Sequence, residues 1–107
     1  MSNEHSEQVG FITWFRNRYP SILIFHIPNG EYRSISVAKR LKAAGVVAGI
    51  PDLYIPRYHL WIEMKTETGK LSKDQEAMHT YLRRIGDTVF VAHGAEDASR
   101  QFLEFLK

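Results

Sequence analysis

The sequence predicts an α/β layer fold in the order αβαββαβα, a small mixed sheet with helices packed on it. Three observations carry that prediction. Short β-branched, apolar runs alternate with segments whose apolar residues recur at helical spacing. Proline or glycine punctuates the junctions, at Pro20, Pro28-Asn29-Gly30, Gly45 and Gly86. Two of the apolar runs are joined by only a short turn, so an antiparallel hairpin interrupts the helix–strand alternation and the sheet is mixed.

Glu4 to Tyr19 reads as an amphipathic helix, with Gln8, Phe11, Ile12 and Phe15 at i, i+3, i+4 and i+7. Pro20 stops it. Ile22 to Ile27 is a strand, and Pro28-Asn29-Gly30 a turn. Ser34 or Ser36 caps a helix running to Ala44, with Val37, Leu41 and Ala44 inward and Lys39, Arg40 and Lys42 mostly outward. Gly45 closes that helix. Asp52 to Ile55 then pairs, across a turn at Pro56-Arg57-Tyr58-His59, with Leu60 to Thr66. Leu71-Ser72-Lys73-Asp74-Gln75 opens a helix to Ile85, and Ser72-x-x-Gln75 is a capping box. Thr88 to Ala92 is a strand. Ala95 to Leu106 is a last helix with Ala98, Phe102 and Leu106 along one stripe.

The 107 residues make one domain, 1–107, with a single modest core. At 44% hydrophobic and 24% charged residues the composition is that of a soluble globular protein. No apolar run approaches a membrane span. Met1 to Gln8 is polar and carries Glu4 and Glu7, unlike a signal peptide. Cysteine is absent, which excludes disulfides, zinc–thiolate sites and thiol catalysis and fits a cytoplasmic location. Net charge is +2, unevenly spread: from Arg33 to Lys73 eight Lys or Arg face three acids. That basic middle suits a polyanionic partner such as nucleic acid. Its candidate contacts are Arg33, Lys39, Arg40, Lys42, Lys70 and Lys73.

Within this basic stretch lies the most informative spacing of the chain: Pro51-Asp52, ten residues, then Glu63-Met64-Lys65. Side chains alternate across a strand, so Leu60, Ile62 and Met64 point one way while Trp61, Glu63 and Lys65 point the other. Pro51 favours a strand start, and the hairpin brings Asp52 beside Glu63. Two adjoining carboxylates repel, and a divalent cation removes the repulsion. Hard oxygen donors suit Mg²⁺ or Mn²⁺, with the Met64 backbone carbonyl as a further ligand. Such a metal lowers the pKa of a bound water and neutralises charge on a phosphorus. Lys65 orients or deprotonates the attacking water. The competing account is a Glu–Lys surface pair on a strand with an aspartate capping a turn. The apolar strands, the Gly-Ile-Pro-Asp-Leu entry and the basic surroundings favour the metal-site reading.

Other candidates rest on less. Glu4 and Gln8 share a face with Phe11 and Phe15, but N-terminal acids also simply complement a helix dipole. His26 and Asn29 fall at a strand's carboxyl end, where sites often form, though a satisfied loop histidine accounts for His26 as well, and His59, His79 and His93 read as structural. Trp14, Tyr19, Tyr32 and Tyr58 are candidates for an interface or for stacking on unpaired bases. No Gly-x-Gly-x-x-Gly or Gly-Lys-Ser/Thr appears.

Ile27-Pro28-Asn29-Gly30, Ala48-Gly49-Ile50-Pro51-Asp52-Leu53, Ile62-Glu63-Met64-Lys65-Thr66 and Gly69-Lys70-Leu71-Ser72 with Gln75 together resemble the VRR-NUC family of the PD-(D/E)XK nuclease superfamily. The resemblance runs nearly end to end. It implies a restriction-endonuclease-like fold and a metal-dependent DNA endonuclease, with Asp52 and Glu63 as metal ligands and Lys65 as the catalytic lysine. It also implies a catalytic role for Gln75 and a metal-binding role for Glu4, with Glu7 as fallback. Stand-alone members are similar to phage or prophage Holliday-junction resolvases, which act as homodimers on branched DNA. The rivals are a flap or single-strand nuclease with the same site, and a DNA-binding module without hydrolysis.

Overall fold

A computed structural model describes residues 3–28 and 34–107. Arg33, Asn29 and Tyr32 therefore lie outside the described residues. The elements follow the expected order: α1 (Glu4–Arg18), β1 (Phe25–His26), α2 (Ile35–Ala43), β2 (Leu53–Ile55), a 3-10 turn (Pro56–Tyr58), β3 (Leu60–Lys65), α3 (Lys73–Arg84), β4 (Thr88–His93) and α4 (Ala95–Phe105). The sheet runs β1-β2-β3-β4. β1/β2 and β2/β3 are antiparallel, and β3/β4 is parallel through the α3 crossover. The mixed sheet follows from one tight hairpin plus one helical crossover.

One face of the sheet is the core. Leu53, Ile55, Leu60, Ile62, Met64 and Ala92 are buried there under α1 and α4. Phe11 and Phe15 of α1 sit one turn apart, and Ala98 and Phe102 of α4 do the same, so two apolar stripes meet over the sheet. Phe15 and Phe102 pack edge to face with centroids 5.0 Å apart. Truncating either ring to Ala removes about 3–5 kcal/mol. Trp14, Tyr19 and Tyr58 join this aromatic cluster, packing partly buried against the core.

α3 lies on the opposite face. Its His79 and Leu82 are buried, and Arg83 Nη2 donates to the Val89 carbonyl of β4 at 2.9 Å. Ser72 and Gln75 form the expected capping box.

Two elements differ from expectation. The apolar run from Ile22 to Ile27 is strand only over Phe25–His26, with Ile27 N–H still donating to the Asp52 carbonyl at 2.8 Å. Ile24 is buried, but its carbonyl accepts from Arg16 Nη2 at 3.2 Å instead of a strand neighbour. A side chain has replaced the ladder there. Second, Val37, Leu41 and Ala44 were expected inward, yet no residue of α2 is buried, and Val37 is 38% exposed. Local capping holds this helix rather than packing. Ser34 Oγ accepts from Val37 N at its start. At its end Gly45 turns left-handed (φ 108°), and Val46 N–H reaches the Leu41 carbonyl at 2.9 Å. Among the described residues no helix is long and apolar enough to cross a membrane.

Candidate active site

Register builds the centre of the site. β2 and β3 pair Leu53 with Ile62, so the preceding Asp52 falls opposite Glu63 on the face away from the core. The Asp52 Oδ2 atom accepts the Met64 backbone N–H at 2.7 Å, which fixes the carboxylate against β3. In an extended strand a residue's N–H and C=O leave on the same edge, so the Met64 carbonyl also faces the Asp52 side. Lys65 lies two residues beyond Glu63 on the same face. Glu63 is 2% exposed and Lys65 9%, so this is not a surface ion pair.

Burial and proximity make the pair electrostatically costly. Burial, then repulsion from Glu63 and a hydrogen bond to it, push the Asp52 carboxyl up to about 7, against the opposing pull of the Met64 N–H and His26. Burial also raises Glu63, while its hydrogen bond with Asp52 and the nearby Lys65 charge hold it down. The hydrogen bond between them raises Asp52 and lowers Glu63, so a proton shared by the pair favours Asp52. The two carboxyls titrate as a unit.

α3 supplies the support for Glu63. Gln75 uses both ends of its amide: Oε1 accepts from Ser72 N at 2.9 Å to complete the cap, and Nε2 donates to Glu63 Oε2 at 3.3 Å. One turn later His79 Nε2 lies 3.1 Å from the other oxygen, Oε1. His79 is 1% exposed, and its Nδ1 is buried with no partner among the described residues. Burial, Arg83 and Lys65 hold its pKa below the usual histidine value. The imidazole is thus neutral, with its proton on Nε2, donating to Glu63.

Gly49 brings loop and helix together. Its backbone is left-handed (φ 88°), and a Cβ there would lie 2.7 Å from the Asp74 carbonyl carbon. The segment delivering Asp52 is pressed directly on the first turn of α3.

The remaining candidates separate. Glu4 is exposed at the start of α1, and its charge raises Glu63. Among the described residues no group of three or more His, Asp or Glu side chains is close enough to hold an ion alone, so Glu4 adjoins the pair without completing a triad. Glu7 is engaged elsewhere: its Oε1 accepts the Ala95 N–H at 2.8 Å and caps α4. Lys39, Arg40 and Lys42 are exposed on α2, and Lys70 and Lys73 are exposed before and at the start of α3. None of these five enters an ion pair among the described residues. A cleft of about 780 Å³ lined by Thr66, His93, Asp97 and Arg100 opens at the start of α4 and does not include Asp52 or Glu63.

Sequence reasoning missed one residue. His79 read as structural, although Gln75 and His79 at i, i+4 on one helix face were a usable signal. His26, read as a satisfied histidine, does have its Nδ1 paired, 2.9 Å from the Asp52 backbone carbonyl.

No curated protein matches the sequence. A solved structure described as a VRR_NUC domain protein superposes with a TM-score of 0.79 at 24% identity, covering 98% of this chain and 88% of that one. That likeness is one of fold. The model of the VRR-NUC domain matches residues 2–96. With its mixed sheet, Pro-Asp and Glu-x-Lys strands and supporting glutamine, the chain belongs to the VRR-NUC domain family, a nuclease-type family.

Proposed function

We propose that the protein is a metal-dependent endodeoxyribonuclease of the PD-(D/E)XK type that hydrolyses DNA phosphodiesters, with selectivity for branched DNA. The observation that carries this reading is the abutment of the half-buried Asp52 and the buried Glu63, with the buried Lys65 alongside. A protein gains no stability from burying two acids side by side. Their cost falls away when a divalent cation is shared between them.

The donor set fits Mg²⁺ or Mn²⁺: carboxylate oxygens from Asp52 and Glu63 and the Met64 carbonyl, with Glu4 near enough to add charge. When bound, the ion supplies an acidified water and charge neutralisation at the phosphate. The chain's own residues do the rest. Gln75 and His79 hold the two Glu63 oxygens, so the carboxylate does not rotate. The Met64 N–H anchors Asp52. Lys65 places an ammonium beside Glu63, where it orients the attacking water and stabilises charge building on the phosphate. Arg33, Lys39, Arg40, Lys42, Lys70 and Lys73 supply a sequence-independent grip on the DNA backbone. A homodimer would present two such sites to the paired strands of a junction.

The test compares a four-way junction, a flap and a linear duplex with wild-type protein and Asp52→Asn in Mn²⁺. The reading expects a metal-dependent nick, strongest on a branched form, lost in Asp52→Asn while DNA binding survives. Wild-type protein that binds DNA but cuts no form in Mn²⁺ or Mg²⁺ would leave a binding module and overturn the hydrolytic reading.

A further inference from the structure

On the sheet face that carries Asp52 and Glu63, the neighbouring cross-strand row is aromatic on β1, β2 and β3 and ends at Val89 on β4. Phe25 pairs with Tyr54 and Tyr54 with Trp61, so the three rings stand side by side on β1, β2 and β3. Tyr54 and Trp61 lie two residues from Asp52 and Glu63 respectively, about 7 Å along each strand and on the same face. The Tyr54 and Trp61 centroids are 4.2 Å apart, and Phe25 meets Tyr54 edge-on at 5.9 Å. The row is braced at its inner end, where Trp61 Nε1 donates to Asp87 at 2.8 Å. At its outer end Phe25 sits on the sheet edge, 38% exposed, and among the described residues no ring stacks beyond it. α3 packs against β4, at the opposite edge of the sheet from β1.

Resting on the nuclease reading, we propose that the Phe25–Tyr54–Trp61 row is a subsite for an unpaired nucleobase next to the phosphate that is cut. The row is continuous with the carboxylate pair and lies within one nucleotide of it. Bases in an intact duplex already stack on their neighbours and offer no free face, whereas an unpaired base stacks on aromatic side chains whatever its identity. The substrate class that follows is DNA with an unpaired nucleotide at the cut, as at a flap or a frayed branch point. It is selected by strandedness and not by sequence.

The experiment uses the full chain carrying Asp52→Asn, with oligonucleotides bearing 2-aminopurine at an unpaired position next to a branch or at a paired position. Binding is expected to quench the unpaired probe and not the paired one. Adding Phe25→Leu, at an exposed position where folding can be checked by circular dichroism, is expected to abolish the quench. It should also weaken binding of the unpaired substrate about five- to a hundredfold. Duplex affinity should change less than about twofold, and Phe25→Tyr should restore the quench. Equal losses on paired and unpaired DNA, or no quench with a folded protein, would reduce the row to a clasp for β1. A change of oligomeric mass in Phe25→Leu would assign the face to a second copy of the chain. The readout is independent of cleavage. A quenching protein that cuts nothing defeats the hydrolytic reading alone, and a cutting protein without the quench defeats the subsite alone.

Discussion

His79 donates from Nε2 to Glu63 Oε1 at 3.1 Å, and both side chains are almost wholly buried. A buried carboxylate held by a neutral donor keeps its charge available to a cation while its rotamer is fixed. His79→Ala removes the donor and leaves a cavity, and should destabilise the protein by about 2–4 kcal/mol in urea unfolding. Mn²⁺ affinity measured by calorimetry should drop about tenfold or more. His79→Gln keeps an N–H donor and should recover much of the affinity. Equal affinities for wild type and His79→Ala would show that the contact is only packing.

Asp52→Asn should trade activity for stability. The folded Asp52 carboxyl titrates at about 7 against 3.8 in the open chain, so the folded state holds a proton that the unfolded state has lost between those values. Stability of the metal-free protein contributed by this group is full below about pH 4 and is lost as pH rises through about 7. Asparagine does not titrate and still accepts the Met64 N–H. The variant should match wild type near pH 4 and exceed it by about 1–3 kcal/mol at pH 8, as read by thermal unfolding with a chelator present. A variant less stable than wild type at pH 8 would contradict the repulsion.

Metal binding should release a proton. A cation needs both carboxylates ionised, and Asp52 is protonated below about 7. Calorimetric titration with Mn²⁺ in buffers of different ionisation enthalpy should show about one proton released at pH 6 and almost none at pH 8, with apparent affinity rising between them. Affinity independent of pH over that interval would remove Asp52 from the ligand set.

Glu4 and Glu7 should separate cleanly. Glu7→Ala removes the acceptor for Ala95 N–H and should cost about 1–2 kcal/mol of stability with Mn²⁺ affinity unchanged. Glu4→Ala leaves stability nearly intact, because Glu4 is exposed, but removes a negative charge felt by Glu63 and should weaken Mn²⁺ by a few-fold. The reverse pattern would make Glu7 the acid of the site.

The hairpin and its two acids were legible because period-two alternation and a Pro-Asp strand start are local signals that also determine who faces whom. Gln75 was legible as a cap for the same reason. What Glu7 does was not: its partner Ala95 stands 88 residues away, and nothing near Glu7 announces it. The exposure of α2 was also hidden, because an amphipathic pattern says which side is apolar but not whether anything lies against it. His79 fell between these cases. Its spacing from Gln75 was visible, but a buried histidine on a helix is usually packing, and only the register of β3 beneath it reveals the carboxylate.

The squeeze at Gly49 means that the strand entry and the helix start are mechanically one part. Fraying of the first turn of α3 would carry Asp74 off its seat and loosen the aspartate and the glutamine together. Whatever clamps either one, cation or phosphate, therefore tightens both, and hydrogen exchange at the amides of 73–76 would register occupancy of a pocket those amides never touch.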